Sequence, residues 1–143
     1  MIALGCDHGG WELKEAVKKY LDEKGIQYED FGCFNTESVD YPVYGKKVAE
    51  AIVEKKAEKG LLFCGTGLGM MLCANKYPGV RAICASDIFS VEFSRMHNNA
   101  NVLTLGGRVM GPGLAIKLVD TFIHTEFEGG RHAKRVEMYD KII

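Results

Sequence analysis

Leu61-Leu62-Phe63-Cys64-Gly65-Thr66-Gly67-Leu68-Gly69 is the stretch that decides the fold. Four apolar residues in a row, bounded by glycines, read as a short strand buried on both faces. Strands of that kind belong to parallel sheets with helices packed on each side. The glycines then read as a loop leading into a short helix that runs to about Lys76. Working outward, the same alternation repeats. Ile2-Ala3-Leu4-Gly5-Cys6 is a second buried strand. Leu13, Ala16, Val17, Tyr20 and Leu21 follow at helical spacing, with Gly25 as the stop. Residues 26–31 are a more polar strand suited to a sheet edge, and 32–40 a loop. A helix begins near Tyr41, with Pro42 in its first turn and Tyr44, Val48, Ala51 and Ile52 facing inward.

On the other side, Pro78-Gly79 marks a turn before a strand over 80–85. Ser86 or Asp87 can cap a helix that reaches Met96. A fifth strand covers 101–105. Leu114, Ala115, Leu118, Val119, Phe122 and Ile123 define an amphipathic helix, and after Gly129-Gly130 a last helix is expected over 131–143, with Val136, Tyr139 and Ile143 on its packing side. The order predicts an α/β fold: a single five-stranded parallel sheet with helices on both faces, a Rossmann-like three-layer sandwich, plus a C-terminal helix. At 143 residues the whole chain, 1–143, reads as one domain. It is long enough to bury roughly two-thirds of its unfolded surface without metals or disulfides.

Composition narrows the function. A net charge of −1 offers no general attraction to nucleic acid or anionic membranes, so any anion site must be local. No apolar run approaches the ~20 residues of a membrane span, and no segment resembles a signal peptide. Cys6, Cys33, Cys64, Cys73 and Cys84 are odd in number and form no CxxC pair, which fits reduced thiols in a cytoplasmic protein. Cys6, Cys73 and Cys84 read as core, Cys33 as a loop thiol. A thiol-redox or flavodoxin-like carrier would need a CxxC pair or a flavin-stacking loop, and neither is present.

In a parallel sheet, ligands collect beyond the carboxyl ends of the strands. The unusual residues follow those ends: Asp7-His8-Gly9-Gly10, Gly65 to Gly69, Ser86-Asp87 and Gly106-Gly107-Arg108. Three glycines in Gly65-Thr66-Gly67-Leu68-Gly69 let backbone N–H groups approach an anion. A tight turn without a ligand explains them less well. The nucleotide patterns do not fit, since Met70 stands where GxGxxG needs glycine and no Gly-Lys-Ser/Thr follows. Cys64 abuts the loop, where a thiol beside a helix N-terminus is a candidate nucleophile or base; a buried core cysteine fits its local sequence equally. Asp7 and His8 read locally as a helix cap with an incidental histidine, or as contacts to a hydroxyl and an anion. Arg131 and Arg135 share a helix face, suited to phosphate or simply solvated. His97-Asn98 ends a helix at the amino end of the sheet, the wrong end for a site in the same subunit. His97 can therefore serve only in a neighbouring subunit's site, unless its helix ends elsewhere.

Seven motifs in order resemble the ribose-5-phosphate isomerase B family: Gly5-Cys6-Asp7-His8-Gly9-Gly10; Asp40-Tyr41-Pro42; Cys64 to Gly69 with Ala74-Asn75-Lys76; Gly79-Val80-Arg81-Ala82; Arg95-Met96-His97-Asn98; Asn101-Val102-Leu103; and Gly129-Gly130-Arg131-His132 with Arg135. Each is weak alone. Together they run from residue 2 to about 139.

The resemblance implies an aldose–ketose isomerase that opens a furanose and moves a proton between C1 and C2 through an enediolate. Ribose 5-phosphate is the default substrate; relatives act on six-carbon phosphates such as allose 6-phosphate, and a non-catalytic sugar-phosphate binding module is the remaining alternative. Family members use Cys or Glu as base, and Met70 occupies the Glu position, which points to Cys64. Thr66 is implied in proton movement at the sugar oxygens and His97 in ring opening. Gly65, Gly67 and Gly69 are implied as backbone donors, with Tyr41 and Leu68 beside the substrate. Asp7 and Asn98 are implied at its hydroxyls, and His8, Arg131 and Arg135 at its phosphate with Arg108 nearby. No metal or organic cofactor is implied. The site is implied to lie between the subunits of a homodimer, which leaves open whether dimers pair again.

Overall fold

Each apolar run is a strand, and all the strands are parallel. The computed structural model describes residues 1–142, so Ile143, expected at the end of the last helix, lies outside the described residues. The elements are β1 (Ile2–Cys6), α1 (Trp11–Glu23), β2 (Tyr28–Asp30), α2 (Tyr41–Val53), β3 (Lys59–Cys64), α3 (Leu68–Ala74), β4 (Ala82–Cys84), α4 (Ile88–Met96), β5 (Val102–Gly106), α5 (Pro112–His124) and α6 (Arg131–Asp140). The sheet order is β2-β1-β3-β5-β4, which puts the polar β2 at an edge as its sequence predicts. Both edge strands are shorter than expected, at three residues each. Their flanks pair with only one neighbour, so the ladder ends early.

The two layers follow from the alternation of side chains along each strand. Leu61 and Phe63 point into a core with Leu4, Leu103, Leu105 and the inner faces of α1, α4 and α5. Leu62 and Cys64 point the other way, against Val48, Ile52, Met70 and Ala74 of α2 and α3. Each fully buried Leu or Phe contributes about 1.5–3 kcal/mol. That is why a four-residue apolar run commits the chain to a central strand. Asp87 caps α4 by accepting the Ser90 N–H at 2.7 Å.

Two cysteine expectations change. Cys33 is in a loop but is buried, its sulfur 3.5 Å from that of Cys6. Burial pushes the Cys6 thiol well above the ordinary thiol range, so this pair behaves as core. Cys73 and Cys84 are only partly buried. Cys73 is in the last turn of α3 with its sulfur toward Pro42 of α2, and Cys84 is at the end of an edge strand.

A buried cation was not legible in the helical pattern of α1. Lys14 is fully buried, with Nζ at 2.7 and 2.8 Å from the Asp30 carboxylate and 2.6 Å from the Cys33 carbonyl oxygen. Lys18 adds a second contact to Asp30 at 3.0 Å. Burial alone would raise the Asp30 pKa, but the two lysines and the Gly32 N–H hold it below the usual carboxylate range. This network anchors the edge strand and the following loop to α1. Among the described residues, no helix is long and apolar enough to cross a membrane.

Candidate active site

The register brings the glycine loops together. Cys6 pairs with Phe63 and Cys64 with Gly106, so β1, β3 and β5 end nearly level. Asp7, Gly65 and Gly107 therefore meet at one edge, flanking the β1–β3 gap from which crossovers leave in opposite senses. Only glycine permits this approach. A methyl group at Gly10 would lie 2.6 Å from the Cys64 nitrogen, and one at Gly106 2.7 Å from the Thr66 carbonyl carbon. The Gly107 N–H donates to the Cys64 carbonyl at 2.8 Å, and the Arg108 N–H to that of Gly65 at 3.0 Å.

Cys64 is buried at the base of this cradle. The Gly67 N–H donates to its sulfur at 3.1 Å, a partner for negative charge on sulfur. Gly67 is left-handed, with φ of 84°. Its carbonyl accepts a 2.7 Å hydrogen bond from the buried Thr104 hydroxyl, so β5 braces the loop from behind. Thr104 carries no sequence signal beyond a polar residue in an apolar strand. Thr66 and Leu68 are exposed, and the Thr66 Oγ1 accepts the Leu68 N–H at 3.2 Å. Tyr41 lies against Gly69, where a methyl group would meet its ring at 2.7 Å.

Around the cradle stand the polar residues expected there. Asp7 closes the turn that precedes α1, its Oδ1 accepting from the Gly9 and Gly10 N–H groups at 2.8 and 3.1 Å. These contacts engage one carboxylate oxygen, but they are not the helix cap read from local sequence: Gly10 is the N-cap of α1 and no side chain caps that helix. The His8 Nδ1 accepts the Val39 N–H at 3.1 Å, which leaves Nε2 as the free ring nitrogen. His8 and Arg108 line a cleft of about 490 Å³ with Gly9 and Gly107. The Arg108 guanidinium passes over Gly65, 3.6 Å from where a Cβ would be.

His97, Asn98, Arg131 and Arg135 are not in this cluster. α4 ends at Met96 and His97 is its C-cap, as the sequence predicts. Asn101 then accepts the Gly60 N–H at 2.8 Å at the amino end of β3. The length of β5, about 13 Å at 3.3 Å per residue, separates this end from Cys64. α6 docks there, with the Tyr139 hydroxyl donating to the Asn98 carbonyl at 2.6 Å and Arg81 pairing with Asp140 at 3.1 Å. Arg131, Arg135 and Asn98 are exposed and His97 is half-buried. A second cleft, of about 380 Å³, opens beside Asn98, Arg81 and Tyr139.

No local sequence signal marks Glu128 and His132 as partners of His97. His97, Glu128 and His132 offer ligand atoms within 4.8 Å of one another. The two imidazoles lie nearly parallel at 12°, so their lone pairs run side by side instead of converging. That arrangement suits a shared carboxylate better than a common metal ion.

Fold and site define an α/β protein with a glycine-lined cradle at the carboxyl edge of an all-parallel sheet. Comparison with known proteins is more specific: the family model described as Ribose/Galactose Isomerase matches residues 2–139. Ribose-5-phosphate isomerase B of Escherichia coli K12 is 44% identical over 136 residues, covering 95% of this chain and 91% of that protein. A D-erythrulose-4-phosphate isomerase of Pectobacterium atrosepticum is 41% identical over 137 residues, covering 95% and 90%. The crystal structure of a ribose 5-phosphate isomerase RpiB from Thermotoga maritima superposes with a TM-score of 0.96 at 50% identity, covering 99% of this chain and 97% of that one. The chain belongs to the Ribose/Galactose Isomerase family and is an aldose–ketose isomerase.

Proposed function

We propose that this isomerase interconverts ribose 5-phosphate and ribulose 5-phosphate with Cys64 as the base, in the cytoplasm, as a homodimer of single-domain subunits. The observation that carries the reading is the Cys64 sulfur set beneath a loop of glycine amides, one of which, on Gly67, already donates to it. In this reading the Cys64 thiolate takes the C2 proton of the open-chain aldose. The electron pair forms the C1–C2 double bond of the enediolate, and the proton returns at C1. Backbone N–H groups of Gly65 and Gly69 receive the charge that develops on oxygen, whereas the Gly67 N–H expected beside them is turned to the Cys64 sulfur. Thr66, exposed in the same loop, relays the proton between O1 and O2. Tyr41 and Leu68 flank the sugar.

The rest of the site comes from the second subunit. Asp7, His8 and Arg108 belong with Cys64, whereas His97, Asn98, Arg131 and Arg135 stand at the far end of the same sheet. Two copies packed antiparallel would bring one end of each against the other. His97 then opens the furanose, Asp7 and Asn98 hold hydroxyls, and the phosphate meets His8 and the arginines. The chemistry requires no metal or organic cofactor, since a thiolate and fixed dipoles cover the charges formed.

A coupled isomerase assay over four-, five- and six-carbon sugar phosphates tests the reading. The highest kcat/KM is expected for ribose 5-phosphate. A decisive preference for a tetrose or hexose phosphate would replace the substrate and leave the mechanism standing. Binding without turnover on every sugar would leave only a binding module.

A further inference from the structure

A ladder of rings runs along the end of α4 onto α6. Phe89 stacks on Phe93 with centroids 4.3 Å apart, Phe93 meets His97 edge-on at 4.8 Å, and His97 lies face to face with His132 at 4.0 Å. The His97 ring is thus held between an aromatic edge and an imidazole face. Glu128 occupies the open rim. Its Oε1 is 3.3 Å from the Nε2 of His97 and 3.9 Å from that of His132. The carboxylate is anchored at its own backbone, because the Glu128 N–H donates at 3.1 Å to the carbonyl of Met96, the residue just before His97.

The charges around this pair are unequal. His132 is held below the usual histidine range, first by burial, then by the positive charge of His97 and Arg131, with Glu128 opposing and Arg135 adding a smaller push. A neutral His132 makes little claim on the carboxylate. The shorter contact and the negative charge both go to His97.

We propose that Glu128 is a positioning residue for His97, its carboxylate engaging Nε2 so that Nδ1 is the nitrogen presented to the sugar ring oxygen. The inference rests on the isomerase reading above. In ring opening, the C1–O4 bond breaks and its electron pair stays on O4. O4 takes the proton from Nδ1 of the imidazolium, while the anomeric hydroxyl releases its proton to water as the C1 carbonyl forms. His97 is left as the neutral Nε2–H tautomer, the one that donates to Glu128. Without the carboxylate the ring can flip or carry its proton on either nitrogen, and the productive orientation is only partly populated.

The test is Glu128→Gln with Glu128→Asp as the conservative variant. Steady-state rates are measured on ribose 5-phosphate and on an aldotetrose 4-phosphate, which cannot close a furanose because its O4 is esterified. Ring ¹⁵N shifts report the tautomer of His97, one of only four histidines. Glu128→Gln is expected to lower kcat on ribose 5-phosphate by about ten- to a hundredfold with little change in KM. It should leave the tetrose rate near wild type and mix the His97 tautomers, and Glu128→Asp should recover most of the loss. Wild-type kcat in Glu128→Gln, an unchanged tautomer, or equal loss on both sugars would overturn the inference. A wild-type protein that isomerises no sugar phosphate would instead overturn the isomerase reading, and the ¹⁵N signature would still decide the Glu128–His97 pairing.

Discussion

Cys64 accepts a hydrogen bond from the N–H of Gly67, three residues on, at 3.1 Å. The contact exists because Gly67 turns left-handed and because Thr104 holds its carbonyl from the opposite side. A strand end, a glycine and a buried hydroxyl on another strand together aim one amide at one sulfur.

Cys64→Ala is expected to abolish turnover while the protein stays folded. The side chain is buried against α2 and α3, but losing one sulfur from the edge of that core costs only a modest part of the stability, on the order of 1 kcal/mol. Circular dichroism and urea denaturation check the fold, and a coupled assay checks the rate. An alanine variant with near-wild-type kcat would remove Cys64 from the mechanism.

Gly67→Ala should damage stability and activity together. A methyl group there would lie 2.8 Å from the Cys84 sulfur and 3.1 Å from the Leu105 carbonyl carbon. The left-handed backbone adds roughly 1–2 kcal/mol for any L side chain. Relief of either strain withdraws the amide from Cys64. Thermal denaturation should show a lower Tm, and kcat should fall even at temperatures where the variant is fully folded. An unchanged Tm with full activity would show that the loop does not need glycine here.

Mixing two dead variants should restore activity. Suppose Cys64 acts with His97 from the other subunit. A heterodimer of Cys64→Ala and His97→Asn then contains one site with both lesions and one with neither. Random reassortment makes half the dimers mixed, so about a quarter of wild-type activity returns. Co-unfolding and refolding of an equimolar mixture supplies the sample. No recovery, with heterodimers verified by mass spectrometry, would place both residues in one subunit's site.

Arg135→Ala should raise KM for phosphorylated sugars with a smaller change in kcat. The side chain is exposed and its removal leaves the core untouched. Inorganic phosphate, as a competitive inhibitor, should weaken in parallel. If phosphate inhibition is unchanged in the variant, the guanidinium does not contact that group.

Acid should weaken the fold through Asp30. Its folded pKa is depressed, so its contribution is fully present above the unfolded value of about 3.9. The contribution is lost as pH falls from there through the folded value. Urea denaturation between pH 7 and pH 3 should show this decline in the wild type. Asp30→Asn should be less stable at neutral pH, because Lys14 is left buried without its counter-ion, and its stability should change less on acidification. Parallel curves for the two proteins would assign the acid sensitivity to other carboxylates.

Much of this was legible in the chain. Strand runs such as Leu61 to Phe63 and the period of α5 depend on burial, which is written locally as hydrophobic spacing. The amino-end position of His97 was legible too, because a helix that starts at the top of a parallel sheet must end at the bottom. The edges were less so: β4 stops at three residues because one side has no partner, and no local pattern encodes that.

The sequence by itself determined the parallel three-layer fold, the glycine loop beside Cys64 and the separation of His97 from it, because apolar periodicity, turn residues and chain direction are local properties. Only the tertiary structure decided which side chains touch. Thr104 behind Gly67, Lys14 inside a ring of oxygens and Glu128 across His97 are pairings 37, 16 and 31 residues apart. Their existence depends on the register of strands and the docking of helices, which are set by packing of the whole molecule.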